Sequence, residues 1–388
     1  MNSKILVFII FFLIFLTCNY NIVVASPTNQ IIIEGLNKVD TFEIEKYWDE
    51  LVNEYGGFFP DNQKVLFDLI LPTNSFDIQS FLLGLLKYFF YEILYNSKLI
   101  GTIIMLTIFS VLLQHIQGAF ENSTVSKIAF YVSYMVLIII AINSFSVAIN
   151  LAKDAIQSMI NLMIALIPLV LSLLASSGNI VSATLFHPLI IFLINIIGTI
   201  IYKVVFPLIF LSSLLYIVSS ISDKYQVTQM AKLLRNVSIG LLGVLLTIFL
   251  GVVSVKGASA SIADGITIRT AKYITSNFVP VVGKMFADAS DTVIGASLLV
   301  KNAVGLAGVF ILLVIVIFPS IKILALAFIY NFSASIMQPL GNNPITETLS
   351  VIGKNLIFIF AALASVSLMF YLAITIIIAA SNISAMIQ

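Results

Sequence analysis

Charged, thiol and imidazole side chains are scarce in this sequence. Only 10% of its 388 residues are charged while 60% are hydrophobic, and it has two histidines and one cysteine. Soluble domains carry about 25% charged residues, so the composition excludes a soluble globular protein and predicts a polytopic membrane protein. With a net charge of +1 and no basic tract, nothing in the sequence indicates nucleic-acid binding.

The single cysteine, Cys18, lies inside an N-terminal segment (1–25) that resembles a secretory signal. Lys4 supplies the positive charge, residues 5–16 the apolar core, and Val-Val-Ala at 23–25 a small-residue cleavage site. An uncleaved membrane anchor is the alternative, and it would place the following residues on the same side of the membrane as a cleaved signal would. Cleavage would leave no thiol in the mature chain, so neither a disulfide nor redox chemistry is expected.

The two histidines stand alone rather than in a metal-binding or catalytic pattern. His115 lies near the end of an apolar segment and His187 precedes a proline at the start of another, so both are expected at membrane interfaces. The sequence also lacks a Walker lysine, a Gly-x-Ser-x-Gly elbow and a dinucleotide fingerprint. It therefore predicts no enzyme, no metal site and no cofactor.

Residues 26–98 form an acidic region with eleven acidic and five basic side chains. An acidic flank behind a signal sequence is typical of the exported side. Its apolar residues predict short amphipathic helices that cap the membrane portion, with breaks at Gly56-Gly57 and Pro60. Residues 78–96 are predicted as an interfacial helix rather than a span. The helical spacing is seen at Phe42, Tyr47, Trp48, Leu51 and Tyr55.

Nine apolar segments follow, each near the length that a bilayer requires. The predicted fold is therefore an all-α, polytopic helical membrane protein with a short extracytoplasmic helical region at its N-terminus. Two of the spans occupy residues 99–159. The nine segments are 99–117, 128–149, 160–176, 187–204, 207–222, 237–255, 298–318, 320–337 and 354–380.

The loops predict the orientation of these spans. Loop 221–236 has Lys224, Lys232 and Arg235 against Asp223 alone, which places it in the cytoplasm by the positive-inside rule. Counting five spans from an exported N-terminal region brings the same loop to the cytoplasmic side. A tight turn at the membrane surface is expected around Lys203, and the stretch after 237–255 falls on the exported side.

The prolines indicate an internal repeat. Pro168 and Pro207 are 39 residues apart, as are Pro280 and Pro319, and the two pairs are offset by 112 residues. All four are predicted to break helices. We interpret them as marking two repeated units, 160–256 and about 272–372. The remainder of the second unit extends through 298–388. The alternative is that the spacing is a coincidence among ten prolines.

An inverted arrangement of the two units, common in transporters, is also predicted. Inversion requires that the chain crosses the membrane an odd number of times between corresponding residues of the two units. The spans 187–204, 207–222 and 237–255 supply three, provided that the segment around Pro280 does not cross. If 273–297 crosses fully, the units are parallel instead.

Residues 257–297 are unusually rich in charged and small side chains. Arg269 and Lys272 have i,i+3 spacing, and the charges from Lys284 onward have i,i+4,i+7 spacing. Charges at membrane depth are functional candidates, so we predict a re-entrant or interfacial segment that lines or gates a polar path, with 160–176 as its partner; a surface loop is the alternative. The pathway candidates are Asp264, Arg269, Lys272, Lys284, Asp288 and Asp291, and close packing is expected at Gly257, Gly265 and Gly295.

Two runs of the sequence resemble stage III sporulation protein AE of endospore-forming bacteria. They are GVVSVKGASASIADGITIRTAKYITSNFVPVVGKMFADASDTVIGASLLVKNAVG at 251–305 and IPLVLSLLASSGNIVSATLFHPLI at 167–190. The overall length, the signal segment and the polytopic layout are similar too. The acidic region 26–98 contributes little to the resemblance.

The resemblance implies an integral membrane subunit of the secretion-like channel, or feeding tube, between mother cell and forespore, located in the outer forespore membrane. It implies as partners the other stage III sporulation A proteins (an AAA-type ATPase, ring-forming components and small membrane subunits) and, indirectly, forespore protein Q. It supplies no catalytic residues. A stand-alone secondary transporter and a non-conducting scaffold are the alternatives.

Overall fold

The structure is a computed structural model, and it is all-α, as predicted. It describes residues 27–36, 39–59, 66, 78–119, 124–176, 189, 192–221, 227–278, 282–340 and 344–386, among which there is no β-strand. Five helices in these ranges are long and apolar enough to cross a membrane, or six if a pair bent by 49° at residue 96 is one span. The predicted signal segment 1–25 lies outside these ranges.

The N-terminal region consists of short helices joined to the first long one. They are α1 (Pro27–Leu36), α2 (Phe42–Tyr55), α3 (Ile78–Tyr95) and α4 (Ser97–Ala119), with a 3₁₀ turn at Gly56–Phe58. Helix α2 buries Ile44, Trp48, Leu51 and Tyr55. This spacing of three and four residues places its apolar side chains on one face. The double glycine at 56–57 coincides with the end of α2, where a break was expected.

Five helical runs build the membrane portion. They are α5 (Thr124–Ser176), α6 (Phe206–Ile221), α7 (Thr228–Phe278), α8 (Val282–Met337) and α9 (Pro344–Met386), and a π-helical turn at Ile201–Val205 leads into α6. Helix α8 has 56 residues, which corresponds to a length of about 84 Å. The hydrocarbon core of a bilayer is only about 30 Å thick, so α5, α7, α8 and α9 are much longer than a single crossing requires.

The prediction of nine separate spans was wrong. Segments 128–149 and 160–176 are one helix, α5; 298–318 and 320–337 are one helix, α8. Segments 187–204 and 207–222 likewise belong to one helical run from Phe192 to Ser219. The polar residues between the apolar segments do not interrupt the backbone hydrogen bonds, because polar side chains are compatible with a helix.

The prolines do not break the described helices either. Pro168 lies inside α5 and Pro319 inside α8. Pro207 is the second residue of α6, directly after the π turn that includes Lys203, where a tight turn had been expected. A wider π turn accommodates the backbone carbonyl that proline leaves without a donor. Pro280 lies outside the described ranges.

The fusion of spans also changes the crossing count behind the inverted repeat. The described run from Phe192 to Ser219 and the span Thr228–Val255 give two crossings between equivalent points instead of three. Two crossings make the units parallel if the segment around Pro280 does not cross, and inverted if it does, so the relative orientation of the units stays a prediction. The repeat itself stays a prediction.

Helices α5, α8 and α9 lie side by side over most of their length. Tyr330 of α8 donates a hydrogen bond to Ser144 of α5, and further along a Cβ added to Gly308 would lie 2.5 Å from Leu166 Cδ1. Residue numbers rise in one helix as they fall in the other, so α5 and α8 are antiparallel. Helix α9 returns antiparallel to α8, with Gly353 against Asn331.

The starts of α5, α7 and α9 and the ends of α6 and α8 meet at one end of the bundle, here called the basal end. Near it Tyr134 and Thr348 are hydrogen bonded at 2.6 Å, as are Ser219 and Thr228 at 2.7 Å. Helix α7 begins at Thr228, so Lys232 and Arg235 belong to a helix and not to a loop as predicted.

Candidate functional site

The predicted pathway segment 257–297 is helical on both sides of a gap. Gly257, Asp264, Gly265, Arg269 and Lys272 lie in α7, whereas Lys284, Asp288, Asp291 and Gly295 lie in α8. Of these, only Gly295 has its surroundings described; the side-chain prediction for the six charged residues falls outside the described part of the chain. Among the described residues, a Cβ at Gly295 would meet no atom within 4 Å; the close packing expected at the three glycines stays a prediction.

A polar cleft opens at the basal end, beside the turn from α8 to α9. Its volume is about 610 Å³, and Asn331, Ser335, Gln338, Thr346, Glu347 and Ser350 contribute most of its polar groups. Tyr216 of α6 donates a hydrogen bond of 3.1 Å to Glu347 Oε1. Amide, hydroxyl and carboxylate groups around a space of this size can hold water or a polar or cationic group of a partner.

Three buried hydrogen bonds link the helices near this cleft. Tyr134 pairs with Thr348, Tyr330 donates to Ser144 at 2.8 Å, and Asn355 donates to Ser213 at 2.8 Å. These pairs are between 142 and 214 residues apart in the sequence. Polar contacts between helices in an apolar medium fix which faces meet, so these bonds set the register of α5, α6, α8 and α9.

Charged side chains also lie within the bundle. Glu92 of α3 is buried and forms an ion pair with Lys322 of α8, with 3.7 Å between Oε1 and Nζ. Lys153 Nζ lies 4.1 Å from the ring centroid of Tyr202. Lys301 is fully buried and donates a hydrogen bond of 2.9 Å to the Ile378 carbonyl. Charges among apolar helices are costly unless compensated, and each of these has a contact that offsets the cost.

Sequence patterns did not reveal these charged contacts. Glu92 and Lys322 are separated by four helices, and neither lies in a recognisable motif. Their positions within apolar stretches marked them only as unusual residues. Pairing requires the antiparallel packing of the long helices, which the sequence did not specify.

Aromatic rings attach the N-terminal helices to α8. Tyr55 of α2 stacks on Phe318 with 4.1 Å between centroids, and Trp48 contacts Phe310 at 5.6 Å. Burial raises the pKa of the Tyr55 phenol above its ordinary value, with smaller contributions from Glu54 and Glu92. The acidic region is therefore packed onto the bundle instead of being tethered to it by the chain alone.

Among the residues whose surroundings are described, no cluster of three histidine, cysteine or acidic side chains could hold a metal ion. The geometry described for this part of the chain consists of hydrogen bonds, the Glu92–Lys322 ion pair, cation–ring contacts and a polar cleft. It offers binding and positioning groups for polar partners.

Comparison with known proteins identifies the relatives of this bundle. The family model for stage III sporulation protein AE matches residues 61–381, which include α3 to α9 except the last few residues. The chain belongs to the stage III sporulation protein AE family. Stage III sporulation protein AE of Bacillus subtilis (strain 168) is 55% identical over 365 residues, covering 94% of this chain and 92% of that protein.

The family-model match begins after α2, so α1 and α2 lie outside the range of that model. No solved structure matches the chain. The chain is thus a membrane protein of a sporulation family, as the resemblance of 251–305 and 167–190 indicated.

Proposed function

We propose that this protein is the integral membrane subunit of the secretion-like channel that connects the mother cell to the forespore. The observation that carries the proposal is membership of the stage III sporulation protein AE family across nearly the whole chain. The bundle of apolar helices and the basal polar cleft are compatible with a subunit that contacts both lipid and polar partners. No catalytic reaction is part of the proposal.

The proposed location is the outer forespore membrane, with the basal end in the mother-cell cytoplasm. Lys232 and Arg235 near that end support this orientation through the positive-inside rule. The proposed cytoplasmic partner is the AAA-type ATPase of the stage III sporulation A set. Ring-forming and small membrane subunits would contact the exported and lipid-facing parts, and forespore protein Q would be reached indirectly.

Within this function we propose that residues 257–297 line or gate the polar path. Neutral replacements of similar size at Arg269, Lys272 or Asp288 are expected to block late forespore gene expression, while the protein still accumulates and binds its partners. Lys46→Gln, which removes an exposed charge on α2, is the matched control and should sporulate normally. Normal spore yield in all three replacements would contradict the pathway role.

Two other functions give different results in separate assays. A secondary transporter would move a solute in liposomes containing this chain alone. A scaffold would tolerate loss of all three charges but would fail when packing is disturbed, for example by Gly308→Leu against Leu166. The channel role predicts no solute movement by the chain alone and sensitivity to both kinds of change.

The topology of the pathway segment is tested by cysteine accessibility in a Cys18→Ser background. Cysteines at Ala258, Ser276 and Ser290 are labelled with a membrane-impermeant maleimide from the exported face. Labelling at both 258 and 290 from this face is expected for a segment that does not cross the membrane. Labelling of 258 and 290 from opposite faces would show that the segment crosses the membrane.

A further inference from the structure

The exposed face of α5 changes from apolar to polar along its length. In its first part the exposed side chains are Ile128, Tyr131, Val132, Met135, Val136 and Ile139. Further along, Val147 and Ile164 are also exposed, but most of the exposed side chains are polar, among them Asn143, Asn150, Asp154, Gln157 and Asn161. Gln157 and Asn161 bond to each other on this surface at 2.9 Å. A lipid-facing surface would remain apolar, so the environment of this face changes near residue 150.

The length of α5 requires such a change. Its 53 residues extend for about 80 Å, and residues 128–150 alone are long enough to cross a hydrocarbon core of about 30 Å. Because membrane helices tilt by at most about 40°, the remaining turns continue into another environment. The mostly polar face that follows residue 150 indicates that this environment is aqueous.

Charged contacts on the neighbouring helices lie at the same height along the bundle axis as Asp154 of α5. Ser144 is level with Tyr330, and Leu166 is level with Gly308. Asp154 is therefore level with residues near 320 of α8, where Lys322 pairs with Glu92. The contact of Lys153 with Tyr202 extends this charged level to the helical run that leads into α6.

Beyond this level the acidic helix α2 covers α8. Trp48 and Tyr55 pack on Phe310 and Phe318, on the side of Lys322 that is remote from the basal end. The opposite face of α2 exposes Glu43, Glu45, Lys46, Asp49, Glu50 and Glu54. Six exposed charges on about three turns of helix are incompatible with a surrounding lipid phase. The covered part of α8 is apolar because it is a protein interface.

We propose that, on the face formed by α5 and α8, the lipid-contacting surface ends at the level of Asp154 and the Glu92–Lys322 pair. The basal part of this face contacts lipid. The part beyond it stands in water on the far side of the bilayer, together with the acidic helix α2. Apolar residues of α8 between 300 and 318 thus belong to a water-surrounded helical body, although their composition resembles a span.

The boundary lies at a different height on α7. Ser238 of α7 is level with Val205, close to Tyr202, yet α7 exposes Val244, Ile248 and Val255 beyond that point. Lipid therefore reaches further along α7 than along α5. A bundle that is tilted in the bilayer has this asymmetry.

Two positions on α5 provide a matched test. Ile139 and Ile164 are 66% and 47% exposed, and their separation of 25 residues is close to seven helical turns, so they share a face. In a Cys18→Ser background, Ile139→Cys and Ile164→Cys are labelled with an environment-sensitive fluorophore. The full chain is reconstituted at one copy per nanodisc, and quenching by aqueous iodide is compared with quenching by doxyl-labelled lipid.

We expect iodide to quench the label at 164 severalfold more strongly than the label at 139, and doxyl lipid to show the reverse order. Trp48 fluorescence verifies folding in both variants. Stronger lipid quenching at 164, or equal lipid quenching at both positions, would overturn the proposal. A third result would also overturn the proposal: the label at 164 is quenched by doxyl lipid in the single copy but by iodide in the native complex. That result would show that residue 164 lies at membrane depth and faces a water path between subunits.

Discussion

The Glu92 carboxylate lies 3.7 Å from the Lys322 ammonium group, although the two residues come from opposite parts of the chain. Glu92 is buried, with 4% of its side chain exposed, whereas Lys322 is 35% exposed. A buried carboxylate needs a compensating charge or hydrogen bonds. The pair therefore joins the N-terminal helices to α8 at the height where the surface of the bundle becomes polar.

Removing one partner of this pair should cost more than removing both. Lys322→Met leaves the buried Glu92 carboxylate without its counter-charge, and we expect a loss of about 1–3 kcal/mol in the free energy of unfolding, reduced by the partial exposure of the lysine. Adding Glu92→Gln should recover part of the loss. Thermal unfolding in detergent, arranged as a double-mutant cycle, measures the coupling. Additive effects would show that the two charges do not interact.

Gly308 is expected to be intolerant of larger side chains. A Cβ at this position would overlap Leu166 of α5, so Gly308→Ala should lower stability by about 1–3 kcal/mol. Leu166→Ala should reduce the additional effect of Gly308→Ala, because it removes the atoms in conflict. Gly295→Ala is the matched control: its Cβ meets no atom within 4 Å, and alanine favours the helix. Equal destabilisation at 295 and 308 would contradict the packing of α5 on α8.

The Tyr330 hydroxyl is expected to contribute modestly to the association of α5 with α8. Its hydrogen bond to Ser144 is 2.8 Å long and buried. Such bonds between membrane helices contribute about 0.6 kcal/mol on average, and Tyr330→Phe should lose about this amount in a denaturant-refolding assay. Tyr131→Phe, at an exposed position, should lose nothing measurable. A larger effect at 131 than at 330 would refute the assignment.

Docking of α2 should weaken at high pH. Burial raises the pKa of Tyr55 in the folded state, so its contribution to stability is fully present below the unfolded pKa near 10 and is lost as the pH rises towards the folded value. Trp48 is the sole tryptophan and lies on the same buried face of α2 as Tyr55, so its fluorescence should report detachment above about pH 10.

Tyr55→Phe should reduce that fluorescence change, because phenylalanine keeps the ring stacked on Phe318 but has no titratable group. Tyr47→Phe is a useful comparison, since the pKa of the half-buried Tyr47 is also raised by burial. A pH profile that is identical in the wild type and in Tyr55→Phe would exclude Tyr55 as the titrating group.

The sequence by itself determined the class of the protein and the amphipathic character of α2. Apolar composition predicted membrane helices because burying charged groups in lipid is costly. The spacing of Trp48, Leu51 and Tyr55 predicted a helix with one buried face. The runs at 167–190 and 251–305 were sufficient to indicate the family. These properties follow from local composition and local spacing.

Only the tertiary structure decided how many helices these residues form and which of them meet. The predicted gap between spans 128–149 and 160–176 contains Asn150, Lys153 and Asp154, but a helix continues through them because its backbone bonds do not depend on side-chain polarity. The stretch 300–318 has the composition of a span, yet Trp48 and Tyr55 cover it. Apolar side chains facing lipid and facing a protein interface have the same composition, and only packing distinguishes the two.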